Sequence, residues 1–151
     1  MAKLSFQLVM PEREVLATEA DMVVVPGSEG NFGVLPGHAP LISSIRPGTI
    51  DIYEGRTTIR ERIFVIGGIA EVTPERCTVL ADEAIAPGAL DRAVIEAELQ
   101  VIEGNLPSLR DQLGRAAAGS EREHLAHELR SLERQQTVAR AKLRALADAA
   151  H

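Results

Sequence analysis

The sequence predicts an all-β N-terminal sandwich of about ten strands followed by an α-helical hairpin, and three observations carry that prediction. Residues 1–88 hold seven of the eight prolines, nine of the twelve glycines and all four aromatics, Phe6, Phe32, Tyr53 and Phe64. In the same stretch, short β-branched or alternating runs are separated by turn signals roughly every 8–12 residues, the pattern of an antiparallel sandwich or barrel. Beyond Pro87-Gly88 the chain turns Ala-rich, and its apolar residues recur at helical period. The predicted domains are residues 1–86 and residues 87–151.

Taken in order, Leu4 to Met10 alternates apolar and polar residues before Pro11, and Asp21 to Val25 stops at Pro26-Gly27. Thr49 to Tyr53 turns through Glu54-Gly55 into Thr57 to Ile66, after which Gly67-Gly68 is expected to interrupt the sheet. Ile69 to Val72, and Cys77 to Ala81 after the Pro74-Glu75-Arg76 turn, follow. No strand run is followed by a crossover helix, so the sheet is predicted to be antiparallel. In the second half, helix one should begin near Leu90 or Asp91, where an acid suits the positive end of the helix dipole. Its stripe is Ile95, Leu99, Ile102 and Leu106, and Gly104 and Pro107 are expected to end it. The last helix should start at a capping box, Ser120 with Glu123 three residues on. It carries an a/d seam of Leu125, Leu129, Leu132, Gln136, Ala139, Leu143 and Leu146, which needs a helical partner.

Charge and cysteine usage exclude several functions. The 151 residues carry a net charge of −6, so the chain as a whole is repelled by a phosphate backbone, which disfavours nucleic acid as a partner. The acidity is mostly N-terminal: residues 1–86 hold 7 basic and 12 acidic groups (−5), residues 87–151 hold 9 and 10 (−1). One cysteine, Cys77, permits no disulfide framework and suits a reducing compartment. Neither a signal peptide nor an apolar run of membrane-spanning length is legible, so contact with a membrane would run through another subunit.

The candidate motifs are weak as enzymology. Gly27-Ser28-Glu29-Gly30-Asn31-Phe32-Gly33 is neither a dinucleotide fingerprint nor a P-loop, and its glycines suit a tight turn between strands. His38, in Gly37-His38-Ala39-Pro40, has no accompanying nucleophile motif, which favours a loop-fixing or interface role over catalysis. His124 and His127 have permissible metal spacing but match no zincin order, and a solvated helix face is the simpler account. Cys77, in an apolar strand, should be inert. From Arg134 through Arg144 the final helix carries Arg134, Arg140, Lys142 and Arg144 without one acid. That cluster reads equally as a solvated face and as a docking surface for an acidic segment.

Together these residues resemble a known family. Gly27-Ser28-Glu29-Gly30 with Gly33, Leu35-Pro36-Gly37-His38-Ala39-Pro40-Leu41, Arg46-Pro47-Gly48, Gly67-Gly68-Ile69 with Glu71-Val72, and Thr78-Val79-Leu80-Ala81-Asp82 are similar to the ε subunits of bacterial F-type ATP synthases. The resemblance implies a non-catalytic rotor subunit of the proton-translocating complex, peripheral on the cytoplasmic face of the bacterial inner membrane. Its partners would be the γ subunit and the c-ring, with the α/β catalytic head reached through the C-terminal helices. Asn31, Phe32, Gly33, Gly37, His38, Ala39 and Pro40 carry over as a loop of c-ring and γ interface residues, with Asn31 standing where an acid sometimes occurs. Arg134, Arg140, Lys142 and Arg144 carry over as charges that meet an acidic segment of the β subunit when the hairpin extends and inhibits ATP hydrolysis. The family's Leu-Asp-x-x-Arg-Ala ATP motif is broken here: Leu90 and Asp91 are present, but Val94 and Ile95 stand in place of Arg and Ala, and Arg92 lies about 100° round the helix from Asp91. Asp91 and Arg92 are the residues left for a nucleotide contact, and no cofactor is implied. The rival accounts are a β-sandwich adaptor whose helical tail joins an unrelated coiled coil, and a hydrolase built on His38.

Overall fold

Alternation of apolar and polar residues sets the strands of the first half. The computed structural model describes residues 2–149; Met1 and residues 150–151, the outer ends of the two predicted domains, lie outside the described residues. The strands are β1 (Leu4–Met10), β2 (Arg13–Ala20), β3 (Met22–Gly27), β4 (Gly30–Val34), β5 (Leu41–Ser44), β6 (Gly48–Glu54), β7 (Thr58–Val72) and β8 (Arg76–Ile85), followed by a 3-10 turn at Pro87–Ala89. Two helices complete the chain, α1 (Arg92–Arg115) and α2 (Ser120–Ala149). Two compact units result, Met1–Ala89 and Leu90–His151, so the 3-10 turn goes with the strands.

In the first unit the sheet order is β2-β1-β8-β7-β6-β3-β4, with β5 paired to β7. Leu4, Phe6 and Leu8 of β1, Val23 and Val25 of β3, Ile50 and Ile52 of β6, and Cys77 and Val79 of β8 all turn inward and are fully buried. Each large apolar side chain so buried contributes about 1.5–3 kcal/mol relative to exposure. Eight strands are present among the described residues, against the predicted ten or so. The difference lies partly in β7, which runs for 15 residues through Gly67-Gly68 where a break was predicted. Both glycines have positive φ, +65° and +113°, and the register with β8 is the same on either side of them, from Ile66↔Glu83 to Gly68↔Ala81. The glycines therefore carry one continuous strand through a stretch that is not extended, and β6 pairs with its first half and β5 with its second. One ladder also departs from the antiparallel prediction: β1 and β8 pair in parallel, Ser5↔Arg76 through Val9↔Leu80. Those strands are the first and last of the unit, so the intervening sheet itself makes the crossover that a helix usually makes.

In the second unit α1 and α2 form the predicted hairpin, with altered ends. Helix α1 does not end at Gly104 or Pro107; it continues to Arg115 with Pro107 inside it. Pro107 and Gly104 are exposed, whereas Ile95, Ile102 and Leu106 bury one stripe, so packing outweighs the propensity cost of both residues. Only residues 116–119 remain as the connection, and the Arg122 guanidinium closes it by donating to the carbonyls of Leu113 at 3.2 Å and Ala116 at 3.1 Å. The capping box is displaced: Gly119, at φ +136°, precedes the helix, and the amide of Glu123 donates to its carbonyl at 3.1 Å. Along α2, Leu125, Ala139 and Ala141 are buried, while Leu129, Leu132, Gln136, Leu143 and Leu146 are half-buried.

Cys77 is fully buried, and burial pushes its thiol up to about 12. A free cysteine titrates near pH 8.5, so at pH 8 a thiol reagent should label the native protein at least ~1,000-fold more slowly than a free thiol. Addition of denaturant should restore ordinary reactivity. Rapid labelling of the native chain would place Cys77 in a site that opens locally.

Candidate functional site

The predicted interface loop is in fact a strand and a turn. Asn31, Phe32 and Gly33 belong to β4, the last strand of the sheet, and pair with Pro26, Val25 and Val24 of β3. A two-residue turn, Ser28-Glu29, joins the two strands. Gly27 is there for space: a Cβ on it would lie 2.8 Å from the Gly30 carbonyl and 2.9 Å from the Phe32 ring. Phe32 itself packs against the sandwich core, so its ring serves the fold while Asn31 and Gly33 remain exposed.

The turn beyond β4 has the chemistry of a type II turn, with Pro36 at its second position and Gly37 at its third, φ +88°. The His38 amide donates to the Leu35 carbonyl at 3.1 Å, and the Gly37 amide donates to Pro74 at 2.7 Å, which ties the turn to the start of β8. His38 Nδ1 donates to the carbonyl of Ala39 at 2.7 Å, leaving Nε2 as the free ring nitrogen. Ala39 and Pro40 are exposed, and His38 is half-buried. On the strands that follow, Ile42 of β5, Ile69 of β7 and Leu80 of β8 are 72%, 48% and 51% exposed. Register places all three on the outer face of β5, β7 and β8, because Ile69 pairs with Leu80 and Ile42 with the outward Glu71.

One residue that sequence reasoning left without a role organises this edge. Arg46 donates from Nη1 to the Gly27 carbonyl and from Nη2 to Asn31 Oδ1, each at 2.5 Å, while its amide donates to the Pro26 carbonyl at 3.0 Å. Arg46-Pro47-Gly48 was legible as part of the resemblance, but nothing in its local pattern says that its guanidinium reaches back 15–19 residues.

On the hairpin, the four basic residues are not equivalent. Arg134 and Arg144 are exposed and Lys142 is half-buried, but Arg140 is engaged: its Nη2 lies 2.7 Å from Glu103 Oε2 of α1, and Gln136 Nε2 donates to the same oxygen at 3.2 Å. The hydrogen bond from Arg140, seconded by Gln136, holds the Glu103 carboxyl below the usual carboxylate range. The basic stretch that looks acid-free in sequence thus meets an acid across the hairpin. Gln136, the polar member of the seam, thus meets α1 at Glu103, one residue before Gly104, while the small member, Ala139, is buried.

Asp91 and Arg92 are both occupied at the start of α1. The Asp91 carboxylate caps the helix, accepting from the amides of Ala93 at 3.0 Å and Val94 at 3.4 Å, and Arg92 pairs with Glu96 at 3.8 Å. His124 pairs with Glu128 at 3.2 Å, and among the described residues no group of three or more His, Cys, Asp or Glu is placed to hold a metal ion.

Comparison with known proteins places the first unit in a family. Residues 3–87 match the family described as the ATP synthase Delta/Epsilon chain beta-sandwich domain. The chain belongs to this family. The delta/epsilon match covers β1 through β8 and leaves the hairpin outside it. The chain is 46% identical to the ATP synthase epsilon chain of Rhodospirillum centenum over 142 residues, 93% of this chain and 90% of that one. It is 42% identical to the epsilon chain of Parvibaculum lavamentivorans, over 82% of this chain and 92% of that one. In fold it is similar to a chain of the Euglena gracilis mitochondrial ATP synthase, with TM-score 0.73 and 16% identity, covering all of this chain and 83% of that one. A chain of the Tetrahymena thermophila mitochondrial ATP synthase central stalk and c-ring gives TM-score 0.57 at 14% identity, covering 95% of this chain and 96% of that one. Among the described residues no helix is long and apolar enough to cross a membrane.

Proposed function

We propose that this delta/epsilon-family chain is a non-catalytic subunit of the rotor of an F-type ATP synthase, seated on the γ subunit and the c-ring at the cytoplasmic face of the membrane. The observation that carries the reading is the 46% identity to an epsilon chain across 93% of the sequence, which spans both units. The exposed face of Ile42, Ile69 and Leu80 supports it, because neighbouring large apolar side chains on an outer sheet face suit a surface covered in an assembly. The β4 edge and the turn through His38 then form the end that meets the ring, and coupling of proton flow to synthesis is a matter of transmitting torque.

The hairpin adds a regulatory role. Arg134, Arg140, Lys142 and Arg144 form the surface that meets an acidic segment of the catalytic head, and the Glu103–Arg140 pair holds the hairpin closed by occupying one of the four. A seam with Gln136 and Ala139 in place of leucines buries less apolar surface, so exchanging one partner for another costs less. The test is ATP hydrolysis by the catalytic head lacking this subunit, before and after adding the full-length chain or a truncation ending at Ala89. Binding by both forms with inhibition by the full chain alone supports both roles; binding without inhibition by either removes the brake and leaves the coupler.

The latch has its own pH signature. A carboxylate whose folded pKa lies below its unfolded value stabilises the folded state above the unfolded value, and that contribution disappears as pH falls through the folded one. For Glu103 the loss begins as pH drops past the ordinary 4.5 and completes below it. The stability difference between wild type and Glu103→Gln, read as helical content against temperature, should be present at pH 7 and vanish toward pH 3. A difference that is constant with pH would contradict the latch.

A further inference from the structure

The backbone of α1 is weakest in its middle. Pro107 has no amide hydrogen, so the carbonyl of Glu103, four residues earlier, goes without its helical donor. Gly104 follows at once, and nothing lies within 4 Å of where its Cβ would stand, so no neighbour restrains the backbone there. Side chains carry the helix through this stretch. Ile102 and Leu106 are buried, and the Glu103 carboxylate accepts from Arg140 at 2.7 Å and from Gln136 at 3.2 Å.

The connection at 116–119 is the opposite case, since its backbone groups are tied. Arg122 donates to the carbonyls of Leu113 and Ala116 at 3.2 and 3.1 Å, and the Ala116 amide donates to the same Leu113 carbonyl at 3.3 Å. Arg110 also pairs with Glu133 at 3.5 Å, which fastens the far part of α1 to α2. The pairs Arg110–Glu133 and Glu103–Arg140 set the antiparallel alignment of the helices, so Ala139 lies beside the weak stretch and Leu125 well beyond it. Both of those residues are buried.

We propose that the joint of the hairpin lies inside α1, at residues 103–107, and not in the connection at 116–119. Helix α2 swings as one rod with residues 108–115 attached to its foot, and the Glu103–Arg140–Gln136 cluster is the clasp that keeps the joint shut. Opening uncovers Ala139 and releases Arg140, while Leu125 stays packed. The joint is a property of the chain by itself; its use as the release of a brake rests on the regulatory role of the hairpin.

The experiment uses the full chain with a single reporter thiol, Ala139→Cys or Leu125→Cys, and follows labelling under native conditions, with Cys77 protected in the other unit. Ala141→Cys replaces Ala139→Cys if the latter does not fold. Each reporter is combined with Gly104→Ala plus Pro107→Ala, which restores the missing donor, with Arg122→Met, which loosens the connection, and with Arg140→Met, which undoes the clasp. The expected result is labelling at 139 at least about tenfold faster than at 125, slowed about tenfold by the Gly104/Pro107 pair, quickened by Arg140→Met and unmoved by Arg122→Met. Equal rates at 139 and 125 would mean that the hairpin unfolds as a unit, and would overturn the joint. Labelling at 139 that quickens with Arg122→Met and ignores the Gly104/Pro107 pair would move the joint to the connection. A second arm measures inhibition of ATP hydrolysis by the catalytic head, which the Gly104/Pro107 pair should weaken. Undiminished inhibition beside the expected labelling would overturn the part of the joint in the brake and leave the joint itself. No inhibition by the wild-type chain would remove the brake, and the labelling would still decide the joint.

Discussion

Gly68→Ala should be the most damaging single-methyl change in the sandwich. A Cβ at Gly68 would lie 2.0 Å from the Leu80 carbonyl oxygen and 2.9 Å from the Ala81 Cα, both backbone atoms of β8 that no rotamer change can move. Its φ of +113° is in addition a conformation that side chains rarely adopt, worth about 1–3 kcal/mol of strain by itself. Relief requires β7 and β8 to separate at Gly68, near where β7 passes from pairing with β6 to pairing with β5. We expect a loss of about 3 kcal/mol or more, which for a unit of this size is a fall in Tm of more than ~10 °C. Gly114→Ala provides the contrast: it lies in α1 with nothing within 4 Å of the added methyl, and should stabilise the helix by about 0.5–1 kcal/mol. Equal effects of the two changes in thermal unfolding would contradict the close approach of β8 to Gly68.

Leu106→Ala should do to the hairpin what Gly68→Ala does to the sandwich. Leu106 is 2% exposed and sits one residue before Pro107, where α1 lacks one amide donor to its own backbone. Burial of this side chain is what carries the helix past Gly104 and Pro107, so truncation removes the compensation as well as the contact. A buried leucine truncated to alanine costs about 2–5 kcal/mol, a large share of what a two-helix unit can hold. The expected result is early loss of helical circular dichroism, with the Cys77 thiol remaining protected because it lies in the other unit's core. Simultaneous exposure of Cys77 would mean that the two units unfold as one.

What was legible in the sequence depended on how many neighbours each residue needed. Alternation exposed β1, β3 and β6 because Leu4, Phe6, Leu8, Val23, Val25, Ile50 and Ile52 bury every second side chain. Strand β2 has mostly exposed or half-buried residues, and such an edge carries little periodic signal. Local rules treat the paired glycines Gly67-Gly68 as punctuation, while the continuity of β7 through them is defined only by its pairing with β8. In the same way Gly104 and Pro107 predicted a helix end that packing on α2 overrides. The resemblance named candidate interface residues but not the difference among them: Phe32 turns into the core, and Arg140 is taken up by Glu103 37 residues earlier. Arg46 belongs to a stretch that carries the resemblance, but a guanidinium bridging a turn 15 residues upstream leaves no pattern in its own neighbourhood.

The central claim is that this chain couples the ring to the head without chemistry of its own. Its most direct test is ATP-driven proton pumping by membrane-reconstituted ATP synthase depleted of this subunit, before and after adding back the purified full chain. The account predicts that the depleted enzyme hydrolyses ATP with little or no pumping, and that the full chain restores pumping without being able to hydrolyse ATP alone. Full pumping by the depleted enzyme, or ATP hydrolysis by the isolated chain, would contradict it.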